Sequence, residues 1–165
     1  MNQYVFCANN PVMFVDPQGN QSSHALVDNS SVKTFFRGIA SDTKWSTPDE
    51  SEQGGHAYKD LTTGKNVFVR WPSAGKLSSI DPPQSFYNDM DDPNKEIILA
   101  VHSHPIPGNL GPSPGDSDNA RKQTRNFPSF VISRTGIYMY CPPDYSSIPI
   151  IEGWDEMSRY LGLGN

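Results

Sequence analysis

Hydrophobic and polar positions alternate in several short stretches of this chain, and the alternation predicts most of its elements. Asn66-Val67-Phe68-Val69-Arg70-Trp71 reads as a half-buried strand, because strand side chains point to opposite faces in turn. His56-Ala57-Tyr58 precedes it, and Thr62-Thr63-Gly64-Lys65 supplies turn residues between the two, so the pair predicts a hairpin. Ser129 to Ser133 and Gly136 to Tyr140, joined by Arg134-Thr135, predict a second hairpin, ended by Cys141-Pro142-Pro143. Ile148 to Ile151 adds a short strand, and Trp154 to Leu161 a closing helix. The continuous apolar run Ile97 to Val101 is the mark of a buried strand. From Ser22 to Ser41, residues Ala25, Leu26, Val32, Phe35, Phe36 and Ile39 follow the helical period, with Ser22 or Ser23 as cap. Asp28-Asn29-Ser30-Ser31 offers a break in that helix. Gly38 leaves its end open, since glycine costs about 1 kcal/mol in a helix interior. Thr47-Pro48-Asp49-Glu50 marks a new start. Ser73 to Asp92 is polar and punctuated by proline, which predicts loop with a short helix around Ser85 to Asp89. Pro114 to about Arg125 predicts a further helix. This order implies an α/β (α+β) chain, a mixed sheet with helices packed on it.

Composition narrows the class. At 165 residues, 35% hydrophobic and with 15 prolines and 13 glycines, the chain is expected to be one loop-rich globular domain. Its net charge of -5 argues against a nucleic acid as the main partner, although Arg121-Lys122 with Arg125 forms a local basic patch. Two cysteines, Cys7 and Cys141, give no disulfide framework and no Cys-x-x-Cys metal spacing, and unpaired thiols are expected. No apolar run reaches the length of a membrane span, so no membrane partner is expected. The first residues lack the basic and apolar segments of a signal peptide, so any export should use a route that does not read one.

The chemistry gathers between Glu96 and Asp116. His102 and His104, at i and i+2 on the end of the apolar strand, point the same way, and Pro105 and Pro107 stop the strand at once. After a Gly/Pro-rich loop, Ser113-Pro114-Gly115-Asp116 suits a helix start, with Ser as N-cap, Pro at the first helical position and an acid in the first turn. Two imidazoles and one carboxylate make a three-ligand set of the kind zinc hydrolases use, with a fourth position left for water. Such a site lowers the pKa of that water to about 7. A second carboxylate should lie nearby to move the proton.

His102-Ser103-His104-Pro105 followed by Ser113-Pro114-Gly115-Asp116 resembles the JAMM (JAB, MPN-plus) metallopeptidase motif, His-[Ser/Thr]-His-Pro-x(n)-Ser-x-x-Asp. Eight residues separate His104 from Ser113, one more than the usual gap. The resemblance implies His102, His104 and Asp116 as zinc ligands and Ser113 as support for the substrate oxyanion. It also implies a glutamate near an early strand as general base. Glu52, in Glu52-Gln53-Gly54-Gly55, fits that place, where the two glycines would let backbone approach the site; Glu50 is the fallback. Glu96 sits too close to the histidines along the same strand. His24 and His56 are unassigned, and Trp45, Trp71 and Trp154 suit core or cleft walls. The implied fold is JAMM-like, related to that of cytidine deaminases.

Asn2 to Asn20, NQYVFCANNPVMFVDPQGN, resembles the end of the core region of Rhs/YD-repeat proteins, where an Asn-Asn-Pro stretch runs into Asp-Pro-x-Gly. Asn20 stands where that family usually has leucine. This resemblance implies a division into residues 1–20, the end of the Rhs core, and 21–165, the toxin domain of a much larger secreted effector. It implies a parent shell, delivery into a target cell and a cognate immunity protein, and the JAMM resemblance implies a protein or peptide substrate. The leading expectation is therefore a zinc-dependent peptidase or isopeptidase toxin. Two others compete: a metal-dependent nuclease, phosphoesterase or deaminase, and a non-catalytic JAMM-like binding module. The deaminase lacks its Cys-x-x-Cys half-signature here.

Overall fold

A computed structural model describes residues 26–73, 75–77, 80–106, 111–122, 126–141 and 145–163. The expectations placed on Asn2 to Asn20, on Cys7, on His24 and on a cap at Ser22 or Ser23 lie outside them.

The first complete helix, α1, is Ser30–Asp42. Asn29 caps it, its side-chain oxygen accepting from the backbone N–H of Ser31 at 3.0 Å and of Val32 at 3.3 Å, so the break falls at Asp28-Asn29. Val32, Phe35, Phe36, Ile39 and Ala40 form the buried stripe that a 3.6-residue period requires. Gly38 does not end the helix: a Cβ there would meet the Arg70 guanidinium at 3.0 Å. Thr47 to Glu50 forms turns rather than a new element.

Six strands follow: β1 (Gly54–Asp60), β2 (Asn66–Arg70), β3 (Lys95–His104), β4 (Ser129–Ser133), β5 (Gly136–Tyr140) and β6 (Ser147–Glu152). They form one mixed sheet in the order β2-β1-β3-β4-β5-β6. β3 and β4 are parallel and every other neighbouring pair is antiparallel. Both expected hairpins are present. Asp60 stabilises the first turn by accepting from the Thr62 and Thr63 amides, and Gly64 takes the left-handed φ of 72°. Pro149 is tolerated because β6 is an edge strand.

Three more helices complete the described fold: α2 (Gln84–Asp91), α3 (Pro114–Lys122) and α4 (Trp154–Leu161). The short helix expected within the proline-rich stretch is α2. α4 ends as glycine allows, with Gly162 at φ 64° and Leu163 N donating to Ser158 O.

The sheet separates two cores. α1 and α4 pack on one face with Ala57, Leu99, Val101, Phe130, Ile132, Ile137 and Met139. Phe36 and Ile39 there are fully buried, each contributing about 1.5–3 kcal/mol of transfer free energy. On the other face α2 brings Phe86 against Trp71, Ala100 and Phe127, while Ala120 of α3 packs with Val131, Tyr140 and Tyr145. Ala100 belongs to this second face and Val101 to the first. Strand parity therefore sends His102 and His104 to the second face, beneath α3.

Candidate metal centre

The parallel pair β3–β4 needs a crossover, and α3 is its helix. Its N-terminus comes down at the C-terminal end of β3, where the histidines emerge. His102 Nε2 and His104 Nε2 lie 2.9 Å apart. Asp116 Oδ1 is 3.2 Å from the first and Oδ2 is 3.3 Å from the second. The three residues form a group that could hold a metal ion, with the two imidazoles buried and the carboxylate half-buried.

The first turn of α3 aims that carboxylate. Ser113 N and Ser113 Oγ both donate to Asp116 Oδ2 at 2.7 Å, and Asp116 N donates back to Ser113 Oγ at 3.2 Å. This is a reciprocal capping box with aspartate as the acid. Ser113 is thus the helix cap its sequence suggested, and the same bonds fix Asp116 toward the histidines.

The donor set fits a divalent ion. Ligands at about 2.0–2.1 Å around a tetrahedral centre stand about 3.3 Å from one another, close to the separations found. Two neutral imidazole lone pairs at 2.9 Å repel each other unless a proton or a cation lies between them. Burial by itself would raise the Asp116 pKa; hydrogen bonds and charge from His102 and His104, with Ser113, outweigh it and hold the carboxyl far below its ordinary range. Burial opposes charge on His104 as well, but Asp116, Glu52 and the Gly111 carbonyl prevail and raise its pKa. His104 Nδ1 is buried and makes no hydrogen bond of normal geometry. The site is a place where positive charge is stabilised.

Ser103, between the two ligands, faces the other way. Its N–H donates to Gln53 O at 2.8 Å, its Oγ accepts from Gln53 N at 2.9 Å, and Thr43 Oγ1 lies 2.7 Å from that Oγ. This buried hydroxyl pair ties the β3 end to α1 and to the segment entering β1. Sequence reasoning passed over Ser103 and Thr43, although the parity of a His-Ser-His strand already points the serine away from the ligands.

The β1–β3 register pairs Gly54 with His102, and continuing it through the Gln53–Ser103 bonds sets Glu52 beside His104. Glu52 is 5% exposed. Its backbone N–H donates to Lys76 O at 2.8 Å. Desolvation raises its pKa to about 7; His104 and the Ile80 backbone N–H oppose the rise, and Asp116 adds to it. Glu52 is thus brought to the triad, a neutral-range carboxyl close enough to feel both His104 and Asp116. Glu50, the fallback, is engaged elsewhere: Arg134 donates to its Oε1, which also accepts from Ser46 N. Glu96 sits near the opposite end of β3, opposite Lys59.

The glycine pair leaves room for aromatic rings, and the Gly54 backbone also lies opposite His102 in the β1–β3 ladder. A Cβ on Gly54 would lie 2.4 Å from Trp71 Cε3, and one on Gly55 would lie 2.5 Å from both Phe35 Cζ and Val69 O. His56 is fully buried against Trp71 and Phe86. Trp71 Nε1 donates to its Nδ1 at 2.9 Å, so the ring proton sits on Nε2, 2.8 Å from Asp89 Oδ2. Desolvation lowers its pKa despite Asp89. This is a packed structural histidine that anchors α2. Trp71 is a core wall, and Trp45 stands edge-on to Trp154 at 5.5 Å.

No protein-family model and no curated protein matches this chain. The functional reading therefore stands on the geometry.

Proposed function

We propose that this chain is a metal-dependent hydrolase of amide bonds, a peptidase or isopeptidase of the JAMM type, with zinc as its metal. The observation that carries the reading is the His102–His104–Asp116 group, with the buried Glu52 carboxyl near enough to interact with His104 and Asp116. A third-ligand carboxylate and a separate carboxyl with a pKa of about 7 are the two acids that metal-assisted hydrolysis needs. Imidazole and carboxylate donors suit zinc among other first-row ions. Zinc, when bound, would polarise the scissile carbonyl and acidify a water molecule.

The remaining roles belong to the chain. His102 and His104 would present Nε2 as ligands, and Asp116 would complete the set while Ser113 holds its orientation. Glu52, poised between protonation states near neutral pH, would accept the proton of the attacking water and return it to the leaving nitrogen. The resemblance would also give Ser113 a part in supporting a developing oxyanion; its hydroxyl proton is donated to Asp116 Oδ2 here, so that part would require the hydroxyl to turn from Asp116. In the wider reading the domain is the C-terminal toxin of an Rhs-type effector, delivered into the target-cell cytoplasm and neutralised by an immunity protein that covers the cleft. Expression of residues 20–165 in a susceptible cell, wild type beside E52Q, with sequencing of new protein N-termini and branched peptides, tests it. Cleavage in the wild type alone supports the reading. Equal toxicity of E52Q with the metal still bound would favour a binding module instead.

A further inference from the structure

We propose that Arg134 is the positioning residue of this site, a single guanidinium that ties the carbonyl just beyond His104 to the turn that delivers Glu52. The proposal rests on the metal-site reading. Arg134 opens the β4–β5 turn directly after Ser133, the residue paired with His104 in the parallel ladder. Its Nε donates to Pro105 O at 3.0 Å, Nη1 donates to Ser46 Oγ at 2.6 Å, and Nη2 donates to Glu50 Oε1. The guanidinium also lies 5.9 Å from the Trp45 ring centroid.

Both segments it joins need an external hold. Beyond His104 the strand ends, and Pro105 has no N–H with which to continue pairing. In the turn before Glu50, Lys44 and Ser46 take left-handed φ values of 53° and 63°, a conformation that non-glycine residues keep when their surroundings over-determine it. Glu50 accepts from Ser46 N at 3.0 Å, so Arg134 completes a closed loop of contacts around that turn. Glu50 lies two residues before Glu52, and Pro105 directly follows His104. One planar fork therefore sets the separation between base and ligand. Lysine cannot reproduce three donors held in one plane.

Cobalt(II) titration of the metal-free protein, read by its visible absorption, tests this beside hydrogen exchange. R134A should lose about 10–100-fold in cobalt affinity, as losses of groups that orient ligands do, and R134K should recover less than half of that loss on a logarithmic scale. Amides of Glu52 and Ser103 should exchange faster in R134A, while Ile137 and Met139 keep their protection. E50Q, which leaves Arg134 on Pro105, should speed exchange at Glu52 with cobalt affinity unchanged, and it serves as the test if R134A does not fold. Wild-type affinity in R134A, or faster exchange spread evenly over β4 and β5, would overturn the proposal while leaving the metal reading intact. A wild type that binds no cobalt overturns both.

Discussion

Glu52 is a carboxyl withdrawn from water and set beside a carboxylate and an imidazole. Its folded pKa of about 7 stands above the ordinary 4.5, so the native metal-free protein binds its proton more tightly than the unfolded chain does. The stabilisation is full below pH 4.5 and is lost as pH rises through 7. E52Q, which cannot ionise, should therefore match the chelated wild type near pH 4 and exceed it by about 1–3 kcal/mol at pH 8, after allowance for solvent screening. Urea midpoints at the two pH values check this; a constant difference would mean that Glu52 is not desolvated. Ser113 serves two purposes in the same few ångströms. S113A should cost about 1 kcal/mol through the lost cap. It should also weaken metal binding about tenfold, because Asp116 Oδ2 loses its hydroxyl donor. A chelator competition titration separates the two effects.

Among the elements, the strands and closing helices were legible because each has a clean period and clear punctuation. The β4–β5 hairpin and α4 have the bounds their residues suggest. His102 and His104 share a face because a strand leaves no choice, and Ser113-Pro114-Gly115-Asp116 encodes its own cap. What could not be read was anything set by long-range register. Glu52 was named through the family resemblance, while the β1–β3 pairing that brings it to the site was not readable from its own neighbours; Arg134 reaches Pro105 and Glu50 across 29 and 84 residues. Gly38 misled because the helix runs on through it to Asp42, and the guanidinium of Arg70, ion-paired with Asp42, lies beside the space a Cβ would take, a contact invisible in sequence. The Gly54-Gly55 pair makes a prediction at this scale. G54A would push a methyl group into the Trp71 ring and should destabilise the protein by about 1–3 kcal/mol, as overpacking does. Chemical denaturation measures it, and an unchanged midpoint would show that the ring can yield.

In the whole molecule, one mixed sheet divides two jobs. α1 and α4 close the larger core on one face, which leaves the end of β3 on the other face free to carry polar groups beneath α3. The parallel β3–β4 pair forces a crossover, and the crossover helix delivers Asp116, the third member of the candidate metal group. No described helix is long and apolar enough to cross a membrane, and the acidic balance of the chain weighs against a nucleic acid as its main partner. The most direct test of the central claim is metal content beside hydrolysis in wild type, H104A and E52Q, after loading with zinc and removal of excess. The expected result is one zinc per chain in wild type and E52Q, none in H104A, and protein cleavage in the wild type alone. A wild type without affinity for zinc, or an E52Q variant that cleaves as fast as the wild type, would contradict it.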